Sequence, residues 1–229
     1  MLASYVALQS ALQRPTTFPE IFELYARKPT PVPGSSPVKY KTPNPKSSKQ
    51  AISPGIADRA LEAAIESTDL HLALAVIETT YATPAFQWNK FVTKALPGLT
   101  ALGLAPAAAL TLASQIPSVT NAADPTQMTI VAFASILTYV TAAGTLGFVA
   151  ITTRNDQMER VTWIPGLPLR ARWSREEERA ALDKVAMAWG FKEVSRRGEE
   201  EGEEWEDLKE WCGIRGMILD RVSLMEGMQ

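Results

Sequence analysis

The chain has 229 residues, a net charge of −2 and a mean hydropathy near zero, yet one long stretch in its middle is almost free of charge. With a single cysteine, Cys212, it forms no intramolecular disulfide, and with a single histidine, His71, it has no multi-histidine metal site and no second histidine for acid–base work. These counts exclude the disulfide-stapled secreted domains and the histidine-rich metalloenzymes.

The first 14 residues contain no acidic side chain, and Leu2, Tyr5 and Val6 share one side of a helix. This pattern is partly that of a mitochondrial targeting segment, but Arg14 is its only basic residue, whereas such segments are Arg-rich. Two interpretations stay open. Residues 1–14 are either a mitochondrial address, cleaved or retained, or an ordinary short amphipathic helix.

Residues 1–54 are predicted to form a Pro-rich, basic N-terminal arm. Nine prolines lie between Pro15 and Pro54. Each fixes φ and removes a backbone donor, so only residues 19–28 are expected to make a turn or two of helix. Seven Lys or Arg against two Glu give the arm a net charge of +5.

The basic charge of the arm has two interpretations, contact with anionic lipid headgroups or RNA phosphates, or a solvated linker. Only one aromatic residue, Tyr40, lies among the lysines, so the signal for RNA is weak. The residues expected to make partner or lipid contacts are Lys39, Lys41, Lys46 and Lys49.

Residues 55–90 are predicted to form a short helical pair. The helices are expected at 56–66 and 70–81, with Asp69 as the N-cap of the second. The second helix has no basic residue, so DNA binding is not predicted. His71 lies off its apolar face and is expected at a surface.

Two apolar segments, residues 91–116 and 128–153, dominate the middle of the chain. Between Lys94 and Arg154, 59 residues carry a single charge, Asp124. A hydrocarbon core about 30 Å thick needs roughly 20 mostly apolar residues per helical crossing. The sequence therefore predicts an all-α membrane protein, built as a two-helix transmembrane hairpin with small helical extramembrane segments on one side.

Small residues at every fourth position predict close helix packing in the membrane. They are Ala101, Ala105, Ala109 and Ala113 in the first span, with Ala143 and Gly147 in the second. Pro106 is expected to kink the first span. Neither span contains an ionisable residue, which argues against a proton relay. The rival interpretation makes residues 95–153 the buried helical core of a soluble protein.

Aromatic and basic residues flank the hairpin on both sides. Those expected to act as interfacial anchors are Trp88, Lys90, Lys94, Arg154, Arg160 and Trp163. The loop between the spans has no basic residue. By the positive-inside rule, both termini are expected in the cytoplasm or, for a mitochondrial protein, in the matrix.

The C-terminal segment, residues 154–229, is predicted to be helical. Residues 161–169 are apolar and Pro-broken, and are expected to lie in the membrane interface. A capping box of Ser174 and Glu177 is expected to open a helix that ends at Gly190.

An acidic stretch follows at residues 199–210, with eight acidic residues in twelve. Helical spacing of Trp205, Leu208, Trp211 and Cys212 nevertheless predicts a short amphipathic helix. Glu203, Glu204 and Trp205 are expected to contact a basic partner or lipid, and the alternative is a solvated face.

No constellation of residues points to catalysis or to a cofactor. The favoured hypothesis is a non-enzymatic scaffold, respiratory-complex assembly factor or ribosome-associated tether of the mitochondrial inner membrane, with both termini in the matrix. Its partners would be membrane lipid and other membrane or matrix proteins. The alternative is a cytosol-facing hairpin protein of the endoplasmic reticulum or another endomembrane, which shapes the bilayer or recruits a partner. A third hypothesis is an accessory subunit of a membrane enzyme or transporter.

Overall fold

The computed structural model describes residues 1–34, 37–120, 123–152 and 158–220, and most of them are helical. The chain divides into two compact units. The first consists of Met1–Lys90 and Asn155–Gln229, and we call it the helical unit. The second, Phe91–Arg154, is the hairpin unit.

The helical unit begins with two helices within the predicted Pro-rich arm, near the places where the sequence allowed a short helix and a turn or two of helix. Helix α1 is Leu2–Ala11 and helix α2 is Phe18–Arg27, and α2 is longer than the turn or two expected. Pro15 opens a 3-10 turn and Pro19 lies in the first turn of α2, where a missing N–H costs no hydrogen bond. The prolines therefore mark helix starts in this part of the chain.

The remainder of the Pro-rich segment contains little regular structure. A two-residue ribbon pairs β1 (Thr30–Pro31) with β2 (Tyr40–Lys41), and a 3-10 turn follows at Ser48–Gln50. Helix formation resumes at another proline, Pro54, which is the first residue of α3.

Helices α3 (Pro54–Glu66) and α4 (Leu70–Thr79) confirm the predicted helical pair. The Asp69 side chain accepts a hydrogen bond from the Leu72 N–H at 2.9 Å, as expected of an N-cap. The α4 helix lies at the centre of the unit, in contact with α2, α3 and an α9 helix from the other end of the chain (Glu176–Trp189).

The other elements complete the helical unit. They are α5 (Pro84–Lys90), β3 (Val161–Trp163), α8 (Leu169–Ser174), a 3-10 turn at Val194–Arg196, α10 (Glu203–Ile214) and β4 (Met217–Leu219). Strands β3 and β4 pair antiparallel, with Val161 opposite Leu219 and Trp163 opposite Met217. The predicted capping box does not form, because Ser174 ends α8 and its hydroxyl donates to the Ala171 carbonyl.

One hydrophobic core joins residues from before and after the hairpin unit. Its members include Phe18 and Phe22 of α2, Leu61 of α3, and Leu182 and Val185 of α9. Each of these side chains is fully buried. Burying a side chain of this size contributes about 1.5–3 kcal/mol, so the two ends of the chain stabilise each other.

A buried ionic cluster fixes the chain where it returns to the helical unit. Arg160 is 1% exposed, and its guanidinium donates to both Asp220 oxygens at 3.0 and 2.7 Å and to Glu200 at 2.6 Å. Asp183 of α9 accepts from the backbone N–H groups of Arg160 and Val161, each at 2.8 Å. The cluster therefore joins β3 to α9, to the 198–200 loop and to the end of β4.

Hydrogen bonds within the cluster favour the ionised form of Glu200. Burial opposes ionisation of Glu200, but hydrogen bonds from Arg160 and from the backbone N–H groups of Phe191 and Gly198 outweigh it and lower the pKa of Glu200 to about 2. Gly190 leaves room for the guanidinium, since a Cβ there would lie 1.6 Å from Arg160 Nη1.

The hairpin unit contains α6 (Leu96–Thr120) and α7 (Pro125–Thr152), preceded by a π-helical turn at Phe91–Ala95. Both helices are long and apolar enough to cross a membrane. Helix α6 continues through Pro106 and Pro117, so the connection between the helices is shorter than the expected 117–127 linker.

Replacing Arg160 with Met is expected to destabilise the helical unit by about 3–5 kcal/mol, because Glu200 and Asp220 then stay buried without their cation. The measurement is urea unfolding of the full chain in detergent micelles, followed by tryptophan fluorescence. The matched control is Arg196→Met, since Arg196 is exposed and lies 3.8 Å from Glu199, and a loss below about 1 kcal/mol is expected. Equal losses in the two variants would contradict the role assigned to Arg160.

Candidate membrane interface and partner surfaces

The outer faces of α6 and α7 carry exposed apolar side chains along their length. Almost none of the most apolar stretch of either helix is buried within the protein. The large exposed residues include Leu99, Leu104, Leu110, Leu112, Val119, Ile130, Val131, Tyr139, Leu146 and Phe148. The core helix of a soluble protein buries such side chains, whereas monomeric soluble proteins rarely expose an apolar patch of this extent.

The inner faces of α6 and α7 pack on each other through small residues. Ala109 and Ala113 are buried, and Ala105 is half-buried on the same face of α6. On α7, Gly144 faces α6, and an added Cβ there would lie 3.0 Å from the Leu102 side chain. Small side chains let two helix backbones approach closely.

The small residues that were expected to contact α6 do not lie on the face of α7 that packs against it. Ala143 and Gly147 are exposed, and so is Ala101 on α6. Gly144 occupies the contact in their place. The four-residue repeat in the sequence identifies a small-residue face on each helix, but which face of α7 meets α6 depends on the rotation of one helix against the other.

Three of the expected interfacial anchors are buried in the helical unit and so do not contact lipid. Arg160 belongs to the ionic cluster. Trp163 is 6% exposed, and its indole N–H donates to Glu176 at 3.0 Å. Lys90 is also buried; its ammonium group donates to the Glu177 carboxylate and to the Trp173 carbonyl.

The other anchors keep an accessible side chain or lie outside the described residues. Trp88 is 52% exposed at the end of α5, and Lys94 is exposed in the π-helical turn. Arg154 lies outside the described residues. Of the expected anchors within the described residues, Trp88 and Lys94 are therefore the ones with exposed side chains.

Two oppositely charged surfaces lie on the helical unit. The basic one carries exposed side chains of all four predicted lysines, Lys39, Lys41, Lys46 and Lys49. The acidic one lies on α10, where Glu203 and Glu204 are exposed and Glu204 accepts from the Trp189 indole at 3.0 Å.

Trp205 is not part of the acidic surface, in contrast to the prediction. It is 4% exposed, and its ring stacks against the Arg160 guanidinium at 4.6 Å. The helical stripe of α10 is otherwise as predicted, with Leu208 and Cys212 buried. Its apolar side packs inward, so the outer surface of α10 is mainly acidic, with Lys209 partly exposed and Ile214 exposed at the C-terminal end.

The cysteine and the acidic residues of the helical unit were predicted to bind no cofactor or metal. Burial, helped by the nearby Glu178 carboxylate, raises the pKa of the Cys212 thiol to about 12, which removes the thiolate at neutral pH. Within the described residues, no group of three His, Cys, Asp or Glu side chains is placed to hold a metal ion.

Two grooves open on the helical unit. One, of about 370 Å³, lies along α2, α4 and the start of α5, and the charged residues at its rim are paired, Glu23 with Arg27 and Glu78 with Arg215. The other, of about 410 Å³, follows α1 and α2 and is mostly apolar.

Comparison of the chain with protein-family models, with curated protein sequences and with solved structures found no match.

Replacing Ala113 with Leu is expected to separate α6 from α7 at a cost of about 1–3 kcal/mol, because the side chain has no room between the helices. The measurement is the distance distribution between spin labels at residues 104 and 146 in lipid vesicles. It is expected to broaden and shift to longer distances. Ala143→Leu is the matched control and is expected to leave the distribution unchanged, since Ala143 is exposed. A shift in the control alone would place the helix contact on the opposite face of α7.

Proposed function

We propose that the protein is a two-span membrane protein that holds a folded helical unit at one face of a bilayer. The observation that carries the proposal is the exposed apolar surface of α6 and α7. Each helix has the length that a hydrocarbon core needs, and helical geometry pairs most of its backbone groups within the segment. Lipid is the solvent that such a surface requires.

The helical unit supports a hairpin topology. Its core contains Leu61 and Ile77 from before the hairpin and Leu182 and Val185 from after it. Residues that share one core lie on the same side of a membrane, so the chain has to cross an even number of times. Exposed Lys94 and the Arg residues that follow the hairpin assign this side to the cytoplasm or the matrix under the positive-inside rule.

The task that fits this arrangement is non-enzymatic scaffolding. The helical unit displays a basic segment and an acidic helix, and its buried ionic groups are used to hold elements together. We place the protein in the mitochondrial inner membrane, as an assembly factor, scaffold or ribosome-associated tether with its termini in the matrix. Its partners would be a respiratory complex, a mitochondrial ribosome or another matrix or membrane protein.

The packing of the N-terminal helix α1 indicates whether a targeting segment in residues 1–14 would be cleaved. Val6 of α1 is fully buried, α1 packs on α3, and the Tyr5 hydroxyl lies 2.7 Å from that of Thr17. Cleavage after Arg14 would remove this helix from the core. A mitochondrial address in residues 1–14 would therefore be retained in the mature protein.

A second candidate function is a cytosol-facing hairpin protein of the endoplasmic reticulum or another endomembrane. The same observation favours it, because α1 behaves as part of a folded core and carries no basic residue of its own. In that setting the exposed acidic surface of α10 would recruit a basic partner.

Membrane insertion is tested by placing a lysine in the middle of each helix. The double variant Ala108→Lys with Tyr139→Lys is expected to be extracted by alkaline carbonate, whereas the unaltered chain stays in the membrane pellet. Each central lysine costs roughly 2.5–3.5 kcal/mol of insertion free energy. Thr120→Lys with Thr126→Lys, at the helix ends, carries the same added charge and is expected to stay membrane-bound. Extraction of the unaltered chain would refute the proposal.

The compartment is tested by import of the C-terminally tagged full chain into isolated mitochondria. Protease added after rupture of the outer membrane is expected to leave both termini intact, and the imported chain is expected to keep its full size because α1 belongs to the core. Import followed by digestion of the termini would contradict the matrix topology. Failure of import, with insertion into microsomes and accessible termini, would select the endomembrane candidate.

A further inference from the structure

The turn between β3 and α8 presents apolar side chains that the helical unit leaves uncovered. Ile164 and Leu169 are each 37% exposed, and Pro165 and Pro168 are exposed between them. Leu167 points the other way and packs against the core. The turn thus has one inward side chain and an apolar outer rim.

Hydrogen bonds hold this turn in a fixed shape. The Ile164 N–H donates to the Gly216 carbonyl at 3.2 Å, and Arg172 Nε donates to the Leu167 carbonyl at 3.0 Å. Gly166 adopts a φ of +89°, which an L side chain rarely tolerates. Because the backbone is fixed, Ile164 and Leu169 cannot collapse into the core, and they stay available to an apolar medium.

The charged residues of the turn itself are basic. Residues 161–175 contain three arginines and no acid, and the glutamates that follow, Glu176–Glu178, are hydrogen-bonded to Trp163, Lys90 and Arg175. Arg172 is used on the turn itself and Arg175 is bonded to Glu178 at 2.9 Å, while Arg170 is exposed. An exposed guanidinium beside apolar side chains matches the boundary between phosphate headgroups and acyl chains.

The turn is tied to the residue at which the chain leaves the helical unit. Lys90 ends α5, and Phe91 is the first residue of the hairpin unit. The Lys90 ammonium donates to the Trp173 carbonyl and to the Glu177 carboxylate, and it lies 4.9 Å from the centre of the Trp173 ring. Helix α8, which begins at Leu169, is therefore fixed to the exit point of the chain.

We propose that this turn, residues 164–170, is a lipid-binding site at the bilayer surface. Ile164 and Leu169 enter the boundary between headgroups and acyl chains, and Arg170 pairs with the phosphate of anionic lipids. The proposal rests on the proposed function, since the hairpin brings the exit point to the membrane. Arg160 and Trp163, which the sequence predicted as anchors, are buried, and the proposal assigns the contact with lipid to residues 164–170 instead.

The test uses a fluorescent label on single cysteines introduced at residues 164 and 169 of the full chain. Cys212 stays in place, because its burial and raised pKa keep it from reacting. A cysteine at residue 194, where Val194 is 73% exposed, is the control on the helical unit, and one at residue 146 reports on the hairpin. Each protein is reconstituted into phosphatidylcholine vesicles, with or without phosphatidylglycerol, that contain spin-labelled lipid as a quencher.

Quenching is expected at residues 164, 169 and 146 and not at residue 194. In phosphatidylglycerol vesicles, Arg170→Glu is expected to lower the ratio of lipid-bound to free turn by more than about fivefold, because one basic contact is lost and a repelled carboxylate is added. If residue 146 is quenched and residues 164 and 169 are not, the lipid site is overturned while the hairpin stands. If residue 146 also escapes quenching, the proposed function fails with it.

Quenching at 164 and 169 that is insensitive both to lipid charge and to Arg170→Glu would refute the assigned role of Arg170. Because two positions in the turn are labelled independently, a folding defect in one cysteine variant does not remove the test.

Discussion

The helices before and after the hairpin share one hydrophobic core, and the rest of the structure depends on that constraint. Leu61 of α3 and Leu182 of α9 are both fully buried in it, although the whole hairpin separates them along the chain. The chain therefore has to leave the helical unit and return to it. This requirement favours an even number of membrane crossings without reference to any charge rule.

Ionic contacts fix the chain at the two points where it leaves and re-enters the helical unit. Lys90 is held at the end of α5 by Glu177 and the Trp173 carbonyl, and Arg160 is held before β3 by Glu200 and Asp220. Buried ion pairs add little net stability compared with apolar packing, but each accepts only a narrow geometry. The space at Gly190 is part of that geometry, because a side chain there would occupy the position of the guanidinium.

The two units place their apolar side chains in opposite ways. The helical unit buries its apolar residues and pairs its inner charges, whereas the hairpin unit leaves apolar residues outside and uses small residues such as Ala113 inside. In lipid, close packing rather than the hydrophobic effect drives helix association. The proposed lipid site at residues 164–170 belongs to the helical unit and combines exposed apolar side chains with one exposed guanidinium on the same turn.

The sequence by itself determined the features that depend on short-range periodicity. The lengths of α6 and α7, the Asp69 cap and the buried stripe of α10 follow from spacings of a few residues. The prolines do not by themselves determine helix positions. Pro15 and Pro19 are excluded from a helix interior but favoured at a helix start, and composition alone does not distinguish a helix start from a helix-free segment.

Only the tertiary structure decided which charged and aromatic side chains are buried in the helical unit. Arg160, Trp163 and Trp205 have the residue types of surface anchors, yet all are buried because their partners arrive from distant segments. Asp220, for example, follows Arg160 by 60 residues. The contact at Gly144 likewise depends on how α7 rotates against α6. Burial is a property of pairs of segments, so no single stretch of the sequence carries it.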